Sequence, residues 1–327
     1  MKSPRKWLVC VVILLLMQIA ADFTEYKPVF QDDRYLMEGL FQALEADLDQ
    51  DGRPELILSG KNYIGRELFV YWLDGTADFK PVVRWQSPNL FEERSILWIA
   101  CGKFSGEKNQ LLALTETAGY LYEFGDGTLA LARQFAHKLQ PLTVAAGDID
   151  GDGRSELVIG TIGKITSKIY DGVVQVWRLG ESGPELAAQT QGTVGNIRGI
   201  TAGDLDGDGL AEILVEEGLS TKSGRIHRFQ FSENKLVERN ALKNPSSGAI
   251  YGMKVKTTAD GPRLFTASHN GKLNVFALDA SGQWTVDGKE RSFNCSFVDL
   301  DLADLNGDGS PELIFAGYPQ RLWILSK

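Results

Sequence analysis

An acidic motif of nine residues recurs four times along this chain and constrains its fold more than any other feature. Each copy has Asp or Asn at positions 1, 3 and 5, glycine at position 6 and glutamate at position 9, and an apolar run follows at once. The copies begin at Asp47, Asp148, Asp204 and Asp304. Degenerate copies at 102–114 and 252–267 hold the same place in two further units, so six units follow one another at a mean spacing of about 51 residues.

A second pattern repeats in phase with the acidic motif. Each motif and its apolar run are followed by an aromatic-rich apolar segment, and in the first five units by a turn and a further apolar segment, as in "VVQVWRL", "GESGPE" and "ELAAQT". Four short strands in a unit of this length are typical of one blade of a β-propeller. The sequence therefore predicts an all-β fold, a propeller of six four-stranded blades, with seven blades as the alternative.

The last blade needs a strand from the other end of the chain. The sixth unit stops at "RLWILSK", one strand short, whereas "EYKPVF" near the N-terminus resembles "DFKPVVRW", which spans the fourth strand of the first unit. We expect this N-terminal strand to complete the last blade, because closing the ring removes an exposed sheet edge.

The first 21 residues differ from the rest of the chain. A basic start, "MKSPRK", precedes an apolar run of about fifteen residues that ends in small side chains, which is the pattern of a secretory signal peptide. An uncleaved N-terminal anchor and a buried core helix are the alternatives.

We expect residues 22–327 to form a single propeller domain in an extracytoplasmic location: secreted, periplasmic or on the cell surface. The formal net charge of −9 makes nucleic acid an unfavourable partner, and any membrane contact is expected only through this segment.

The acidic motif has the composition of a calcium loop. Carboxylates packed this closely repel one another unless a cation lies between them, and Ca²⁺ takes 6–8 oxygens at roughly 2.3–2.6 Å in a flexible geometry. We predict about four Ca²⁺ sites, each formed by the side chains at positions 1, 3, 5 and 9 and the backbone carbonyl of position 7. The predicted ligands are Asp47, Asp49, Asp51, Arg53 and Glu55; Asp148, Asp150, Asp152, Arg154 and Glu156; Asp204, Asp206, Asp208, Leu210 and Glu212; and Asp304, Asn306, Asp308, Ser310 and Glu312.

Two other interpretations of the motif were compared with this one. An EF-hand requires glutamate at position 12 and flanking helices, but position 12 is apolar in all four copies: Leu58, Ile159, Val215 and Phe315. Turns rich in Asp without a metal are the second alternative. Four copies in phase, each with the glutamate at position 9, favour metal binding.

In tandem, the motif resembles the FG-GAP/VCBS-type repeats of integrin α-subunit propellers and of many exported bacterial proteins. The resemblance covers nearly all of residues 25–327, although two of the six units depart from the motif and the letters "FG…GAP" are mostly missing. It implies that each loop binds Ca²⁺ between the first two strands of a blade, and that the protein serves recognition or adhesion. Some members of this family are carbohydrate-active enzymes such as rhamnogalacturonan lyases.

The residues themselves indicate a binding module rather than an enzyme. Metals held by several protein oxygens are usually structural, and the sequence has neither a zinc-ligand motif nor a serine-hydrolase elbow. The loops between the second and third strands are rich in cations and tyrosines, so the face opposite the calcium loops is expected to meet a protein or polysaccharide partner. Its candidate residues are Lys61, Tyr63, Lys164, Lys168, Tyr170, Lys222, Arg225, Tyr318 and Arg321. The alternatives are a polysaccharide lyase on the same ring and an envelope assembly scaffold.

Overall fold

The computed structural model describes most of the chain after residue 25. The described residues are 26–32, 39–62, 67–74, 78–92, 97–161, 165–166, 169–170, 172–192, 194–219, 222–246, 248–258, 260–318 and 321–327. The proposed signal segment, residues 1–21, lies outside them, so that interpretation stays a prediction. The described residues contain no α-helix, and none of their elements is a helix able to cross a membrane.

The strands form six antiparallel blades in chain order. Blade 1 contains β2 (Gly39–Ala46), β3 (Glu55–Asn62), β4 (Glu67–Asp74) and β5 (Val82–Gln86). Blade 2 contains β6 (Trp98–Gly102), β7 (Gln110–Leu114), β8 (Ala118–Gly125) and β9 (Thr128–Ala136). Blade 3 contains β10 (Pro141–Gly147), β11 (Glu156–Thr161), β14 (Val174–Gly180) and β15 (Gly183–Gln189), with a short hairpin of β12 (Ile165–Thr166) and β13 (Ile169–Tyr170) between its second and third strands.

The remaining three blades include two with a short additional strand. Blade 4 contains β16 (Ile197–Gly203), β17 (Glu212–Leu219), β18 (Lys222–Ser232), β19 (Lys235–Glu238) and the extra strand β20 (Leu242–Lys243). Blade 5 contains β21 (Ile250–Thr258), β22 (Gly261–Ser268), β23 (Lys272–Leu278), β24 (Trp284–Val286) and the extra strand β25 (Arg291–Ser292). Blade 6 contains β26 (Ser296–Ala303), β27 (Glu312–Tyr318), β28 (Arg321–Ser326) and β1 (Lys27–Asp32). The prediction of six blades is confirmed.

The N-terminal strand closes the ring, as the sequence predicts. Strand β1 pairs with β28 in antiparallel register from Lys27↔Ser326 to Asp32↔Leu322. The Tyr26 hydroxyl, just before this strand, donates a hydrogen bond to the Pro311 carbonyl at 3.0 Å. The first strands of the blades contact one another in the order β2, β6, β10, β16, β21, β26 and back to β2, so they surround a central channel.

The hydrophobic core lies between the blades. Second strands such as Gln110–Leu114 are buried along their whole length because each inner sheet packs against a neighbour on both sides. Between blades 1 and 2, for example, Ile57 and Trp72 share a cluster with Ile99 and Leu111. This arrangement explains why the sequence shows continuous apolar runs after each acidic motif.

All the first strands run in the same direction along the channel, and this direction separates two faces. They end at the acidic loops 47–54, 148–155, 204–211 and 304–311, which therefore share one face, here called the acidic face. The connections between second and third strands, and those between blades, lie on the opposite face. The sequence predicts this separation.

Two aspartates of β26 connect blade 6 to both of its neighbours. Asp299 Oδ2 accepts a hydrogen bond from the Ala43 amide of blade 1 at 3.1 Å. The wholly buried Asp301 accepts from the Glu45 amide at 2.9 Å and from Lys254 Nζ of blade 5 at 2.8 Å, both through Oδ2. These bonds span the point where the two ends of the chain meet.

We expect Asp301→Ala to reduce the free energy of unfolding by on the order of 3 kcal/mol, because it removes one partner of a buried ion pair and an acceptor of a buried amide. The Asp301→Ala/Lys254→Met double variant should lose less than the sum of the two single variants, since it leaves no unpaired ammonium group. Urea unfolding of the four proteins measures this coupling. Strictly additive losses would contradict the inter-blade role.

A second buried carboxyl group gives the fold a pH dependence. Glu216 of β17 is wholly buried, and its Oε1 accepts a hydrogen bond from Asn244 Nδ2 at 3.3 Å. Burial raises the pKa of Glu216 to about 7 from an ordinary value of 4.5, although the bond from Asn244 opposes the shift. The folded state therefore holds this proton more tightly than the unfolded chain does.

The contribution of Glu216 to stability is fully present below the unfolded pKa of 4.5 and is lost as the pH rises through about 7. We expect Glu216→Gln to match the wild type at about pH 5 and to be more stable than it at about pH 8, by a few kcal/mol at most. Thermal melts of both proteins across this range test the sign. A Glu216→Gln protein that is less stable than the wild type at the higher pH would contradict the assignment.

Candidate metal centres

The glutamate at position 9 anchors each acidic loop to its blade. It is the first residue of the second strand, and its side chain is 5%, 2%, 1% and 0% exposed in blades 1, 3, 4 and 6, respectively. One carboxylate oxygen accepts the backbone N–H of the apolar residue at position 2, at 3.0 Å from Leu48, 2.9 Å from Ile149, 2.8 Å from Leu205 and 2.8 Å from Leu305. The second oxygen accepts from Arg228 in blade 4 and from Ser326 in blade 6.

The other acids of the motif fold the loop around a common centre. The aspartate at position 1 accepts the N–H of the glycine at position 6 at distances of 2.9–3.1 Å in all four loops. The aspartate at position 5 accepts the N–H of position 7, which is Arg53, Arg154, Leu210 or Ser310, at 2.8–2.9 Å. The glycines at position 6 have φ between 85° and 90°, a conformation that L side chains rarely adopt. That the position-7 carbonyls are ligands stays a prediction.

Three of the four loops bring carboxylate oxygens within 4.8 Å of one another. The residues of these clusters are Asp47, Asp49, Asp51 and Glu55 in blade 1; Asp148, Asp150 and Glu156 in blade 3; and Asp204, Asp206 and Glu212 in blade 4. The aspartates at position 5 of blades 3 and 4, Asp152 and Asp208, are not in these clusters, although the sequence predicts them as ligands. Oxygen-only clusters of this kind suit a hard divalent cation.

The loop of blade 1 has the geometry that best fits a cation. Asp47 Oδ1 is buried and has no hydrogen-bond partner among the described residues. In blades 3 and 4 the corresponding oxygen accepts the N–H of glycine at position 4, Gly151 or Gly207, at 2.8 and 2.7 Å. Blade 1 has Gln50 at this position. A buried carboxylate oxygen without a donor is costly, so the residues of this loop fit a bound cation.

Burial, together with the crowded negative charge, raises the pKa values of the glutamates at position 9. Burial, followed by repulsion from Asp49, Asp47 and Asp51, raises the pKa of Glu55 to about 8 despite the bond from the Leu48 amide. Burial, with repulsion from Asp150 and Asp152, raises the pKa of Glu156 to about 7 against the bond from the Ile149 amide.

The pKa values of Glu212 and Glu312 are also raised, and burial is again the main cause. A divalent cation in each loop would favour the ionised form of these groups.

Three arginines, which the sequence analysis missed, reach into the acidic loops. Arg84 Nη1 lies 2.7 Å from Asp49 Oδ2 in blade 1, and Arg178 Nε lies 3.1 Å from Asp150 Oδ2 in blade 3. Arg228 of blade 4 contacts both Asp206 and Glu212, with its Nη2 2.6 Å from Glu212 Oε1, and its side chain is 6% exposed. All three contact the aspartate at position 3. Of the three, only Arg178 could have been anticipated, because the pairing of Leu157 with Trp177 places Arg178 beside Glu156.

The loop of blade 6 is neutralised differently. Asn306 replaces the aspartate at position 3, and its amide nitrogen donates to Asp308 at 3.0 Å and to Glu312 at 3.3 Å. Ser326 also donates to Glu312, at 2.9 Å. A cation in this loop requires the Asn306 amide to rotate so that its oxygen faces the centre. This explains why the loop does not join the three carboxylate clusters.

The two degenerate units connect their first two strands without the acidic motif. In blade 2, Gln110 takes the place of the buried glutamate, and its Oε1 accepts the Ser105 amide at 2.9 Å. In blade 5, β21 and β22 are joined by a tight turn that ends at Gly261. Neither unit contributes to the carboxylate clusters found in the described part of the chain.

The structure locates only part of the predicted partner surface. Lys61 and Arg225 lie at strand ends on the opposite face. Tyr170, Lys222, Tyr318 and Arg321 are described as strand positions only, and Tyr63, Lys164 and Lys168 lie outside the described residues. His227, the histidine of β18, is packed between Glu217 at 2.8 Å and Glu238 at 2.7 Å.

Comparisons with known proteins support the fold and give one distant relative. No family model matches the sequence. A rhamnogalacturonan endolyase, YesW of Bacillus subtilis (strain 168), is 27% identical over 252 residues, with 58% of this chain and 39% of that protein covered. The chain thus spans less than half the length of this relative.

The structure is similar to BBS1N, which was solved in complex with ARL6DN. The TM-score is 0.54 and the identity is 14%, and the match covers 92% of this chain and 96% of that one. This likeness supports a six-bladed propeller and carries no functional argument.

The arginines predict that the loops differ in their affinity for metal. We expect Arg228→Gln to strengthen Ca²⁺ binding in blade 4 by at least about tenfold, because it removes a buried positive charge within a few ångströms of the site. Calorimetric titration of metal-free protein measures the change. Arg225→Gln is the matched control, since Arg225 lies on the same strand at the opposite face.

Melting curves provide a second measurement for the same variant. Without Ca²⁺, Arg228→Gln should melt below the wild type because Glu212 loses its buried partner, and saturating Ca²⁺ should restore most of the difference. Adding Asp204→Asn should abolish the gain in affinity. Unchanged Ca²⁺ binding in Arg228→Gln would show that the guanidinium does not compete with the ion.

Proposed function

We propose that this chain is an exported, calcium-binding propeller that recognises an acidic polysaccharide with the face opposite its acidic loops. Its loops are of the FG-GAP/VCBS type, and the bound Ca²⁺ ions are structural. The protein acts outside the cytoplasm after its N-terminal segment has directed export. The observation that carries the proposal is the separation of charge between the two faces of the ring.

The acidic face holds fifteen motif carboxyl groups, which five arginines partly offset: Arg84, Arg178 and Arg228, which contact them, and Arg53 and Arg154 within the loops. On the opposite face, Arg225 of β18 and Lys243 of β20 are cross-strand neighbours, and both are exposed. Neither forms an ion pair within the part of the chain that the structure describes. Glu217 lies opposite Arg225 in the neighbouring ladder, but its carboxylate contacts His227 at 2.8 Å. The two adjacent cations would therefore still attract a polyanion, even on a protein of net charge −9.

The distant relative supports a saccharide rather than a protein as the partner. Its name states that it cleaves rhamnogalacturonan, a polysaccharide that contains uronic acid. This chain covers only part of that relative, so a shared polysaccharide class is the extent of the transfer. Binding along an extended polyanion also suits a wide, exposed ring face better than a single deep pocket.

A polysaccharide lyase on the same ring is the second candidate function, and the relative is the observation that favours it. A lyase requires a base beside the carbon whose proton it removes, and usually a cation that neutralises the neighbouring carboxylate. On the opposite face Arg198 lies beside Tyr251, whose ring centroid is 5.2 Å from that of His269, but none of the carboxylate clusters found in the described residues lies there to hold a cation. The recognition module therefore remains the main proposal.

Binding of polygalacturonate, measured against a neutral polysaccharide of similar length, tests the proposal. We expect Arg225→Glu/Lys243→Glu to weaken binding on the order of tenfold or more and to reduce its dependence on salt. Lys235→Glu/Lys103→Glu is the matched control, because it makes the same change of charge at exposed residues on the acidic face.

The same incubations, followed by ultraviolet absorbance, report any unsaturated product. Formation of that product would replace the recognition module with the lyase. Equal losses in the two double variants would show that net charge, rather than the opposite face, governs binding. No binding to polygalacturonate would overturn the choice of partner.

A further inference from the structure

Five of the six first strands contain a β-bulge at the same place, close to the opposite face. In β16, for example, Ile197 pairs with Glu217 and Gly199 pairs with Glu216, so Arg198 between them has no partner in the ladder. Bulges redirect a side chain and recur beside functional sites. The five bulged residues are Phe41, Leu142, Arg198, Tyr251 and Val298.

The bulges build a ring of side chains at the mouth of the channel. Blade 2 has no bulge, but Trp98, the first residue of β6, takes the equivalent place. The five bulged residues and Trp98 all line one cavity of about 230 Å³. Each blade thus contributes one side chain, and the ring contains three aromatic groups, two aliphatic groups and a single charge.

That single charge, Arg198, has no ion pair or hydrogen bond from its side chain to any of the described residues. Its Nε is buried and without a partner, and its guanidinium lies 5.8 Å from the centre of the Tyr251 ring. A buried donor that has lost water without gaining an acceptor is unfavourable. An anionic ligand in the cavity would supply that acceptor.

Further polar groups on the wall favour a ligand with several hydroxyl groups. Trp98 Nε1 is also buried without a hydrogen-bond partner in the described structure. Gln42 Oε1 accepts the Ile99 amide at 2.6 Å, which fixes the side chain and directs its NH₂ group. The Thr143 hydroxyl and Asp299 complete the polar lining. Burial raises the pKa of Asp299 to about 7, so this carboxyl group repels an anion less than an ordinary aspartate does.

The depth of the cavity limits the size of its ligand. Towards the acidic face the channel narrows to a second space of about 80 Å³, beside which Lys254 pairs with Asp301 at 2.8 Å. A volume of about 230 Å³ is small for a drug-sized ligand and suits one sugar residue. Aromatic walls suit the flat C–H face of such a ring.

We propose that the channel mouth binds one uronic acid residue, with its carboxylate on Arg198 and its apolar face against Trp98 and Tyr251. This inference rests on the proposed function and names the channel mouth as one subsite for the polysaccharide. The carboxylate would form a charge-assisted, bidentate pair with the guanidinium. Long chains would also contact Arg225 and Lys243 outside the mouth.

Galacturonate and galactose form the matched ligand pair for the test, because they differ mainly in the carboxylate. Calorimetry of the full chain should show galacturonate binding at least about tenfold more tightly than galactose. Arg198→Gln, which removes the charge and keeps hydrogen-bonding groups, should abolish that preference. Lys235→Gln, at an exposed residue on the acidic face, should leave the monosaccharide preference unchanged.

Tryptophan fluorescence gives a second measurement that a misfolded variant would not mimic. Galacturonate should change the emission of the wild type, and Trp98→Phe should lose this change while keeping the wild-type melting temperature. Equal affinity for the two sugars, or an unchanged preference in Arg198→Gln, would overturn the subsite. Tighter binding of a short glutamate-rich peptide than of galacturonate would overturn the saccharide.

The two proposals can fail separately. Polygalacturonate binding that persists in Arg198→Gln and depends on Arg225 and Lys243, with no binding of the monosaccharide, would overturn the subsite and keep the proposed function. Loss of all polygalacturonate binding in the wild type would overturn both.

Discussion

The hydrogen bond from the position-2 amide to the buried glutamate at position 9 determines the shape of every acidic loop. In blade 2 the neutral Gln110, which pairs with Gly102 as Glu156 pairs with Gly147, accepts the amide of Ser105 at 2.9 Å, one residue beyond the equivalent of position 2. An uncharged side chain at this place can therefore anchor a loop. Glutamate at this position in four other blades adds a buried group whose ionised form a nearby cation would stabilise.

The chain supplies part of that cation charge itself, and it does so unevenly. Blades 1, 3 and 4 each combine four motif acids with one arginine that contacts them, whereas blade 6 has three motif acids and no such contact among the described residues. Arg53 and Arg154 at position 7 add a further positive charge in blades 1 and 3, so the formal charge is −2 in those loops and −3 in blades 4 and 6. The geometry of the arginines differs as well. Arg228 is buried against Glu212, while Arg178 is 44% exposed and can leave its loop at lower cost. We therefore expect any order of metal affinity among these three blades to follow how deeply each arginine is buried.

The repeat made the architecture predictable, whereas the details of the site depended on pairing between distant strands. The repeated motif predicts six blades, and the order of the strands places all its loops on one face. The similarity between two short segments predicts that the N-terminal strand completes blade 6. Arg84 and Arg228 reach their loops from 35 and 22 residues away, and no motif marks them. The bulge at Arg198 is one unpaired residue in a ladder, which only the register reveals.

Each first strand runs from the mouth of the channel to the acidic face, so a restraint at one end affects the other. Strand β16 begins beside the bulge at Arg198 and ends at Gly203, next to the first aspartate of an acidic loop. Its cross-strand partner β17 begins with the buried Glu212. A cation at this loop would restrain both strands at the acidic face and thereby hold the opposite end of β16, with Arg198, in a fixed place. Restraint of this kind lowers the entropy lost on binding, so occupied loops would favour ligand binding at the mouth without contacting the ligand.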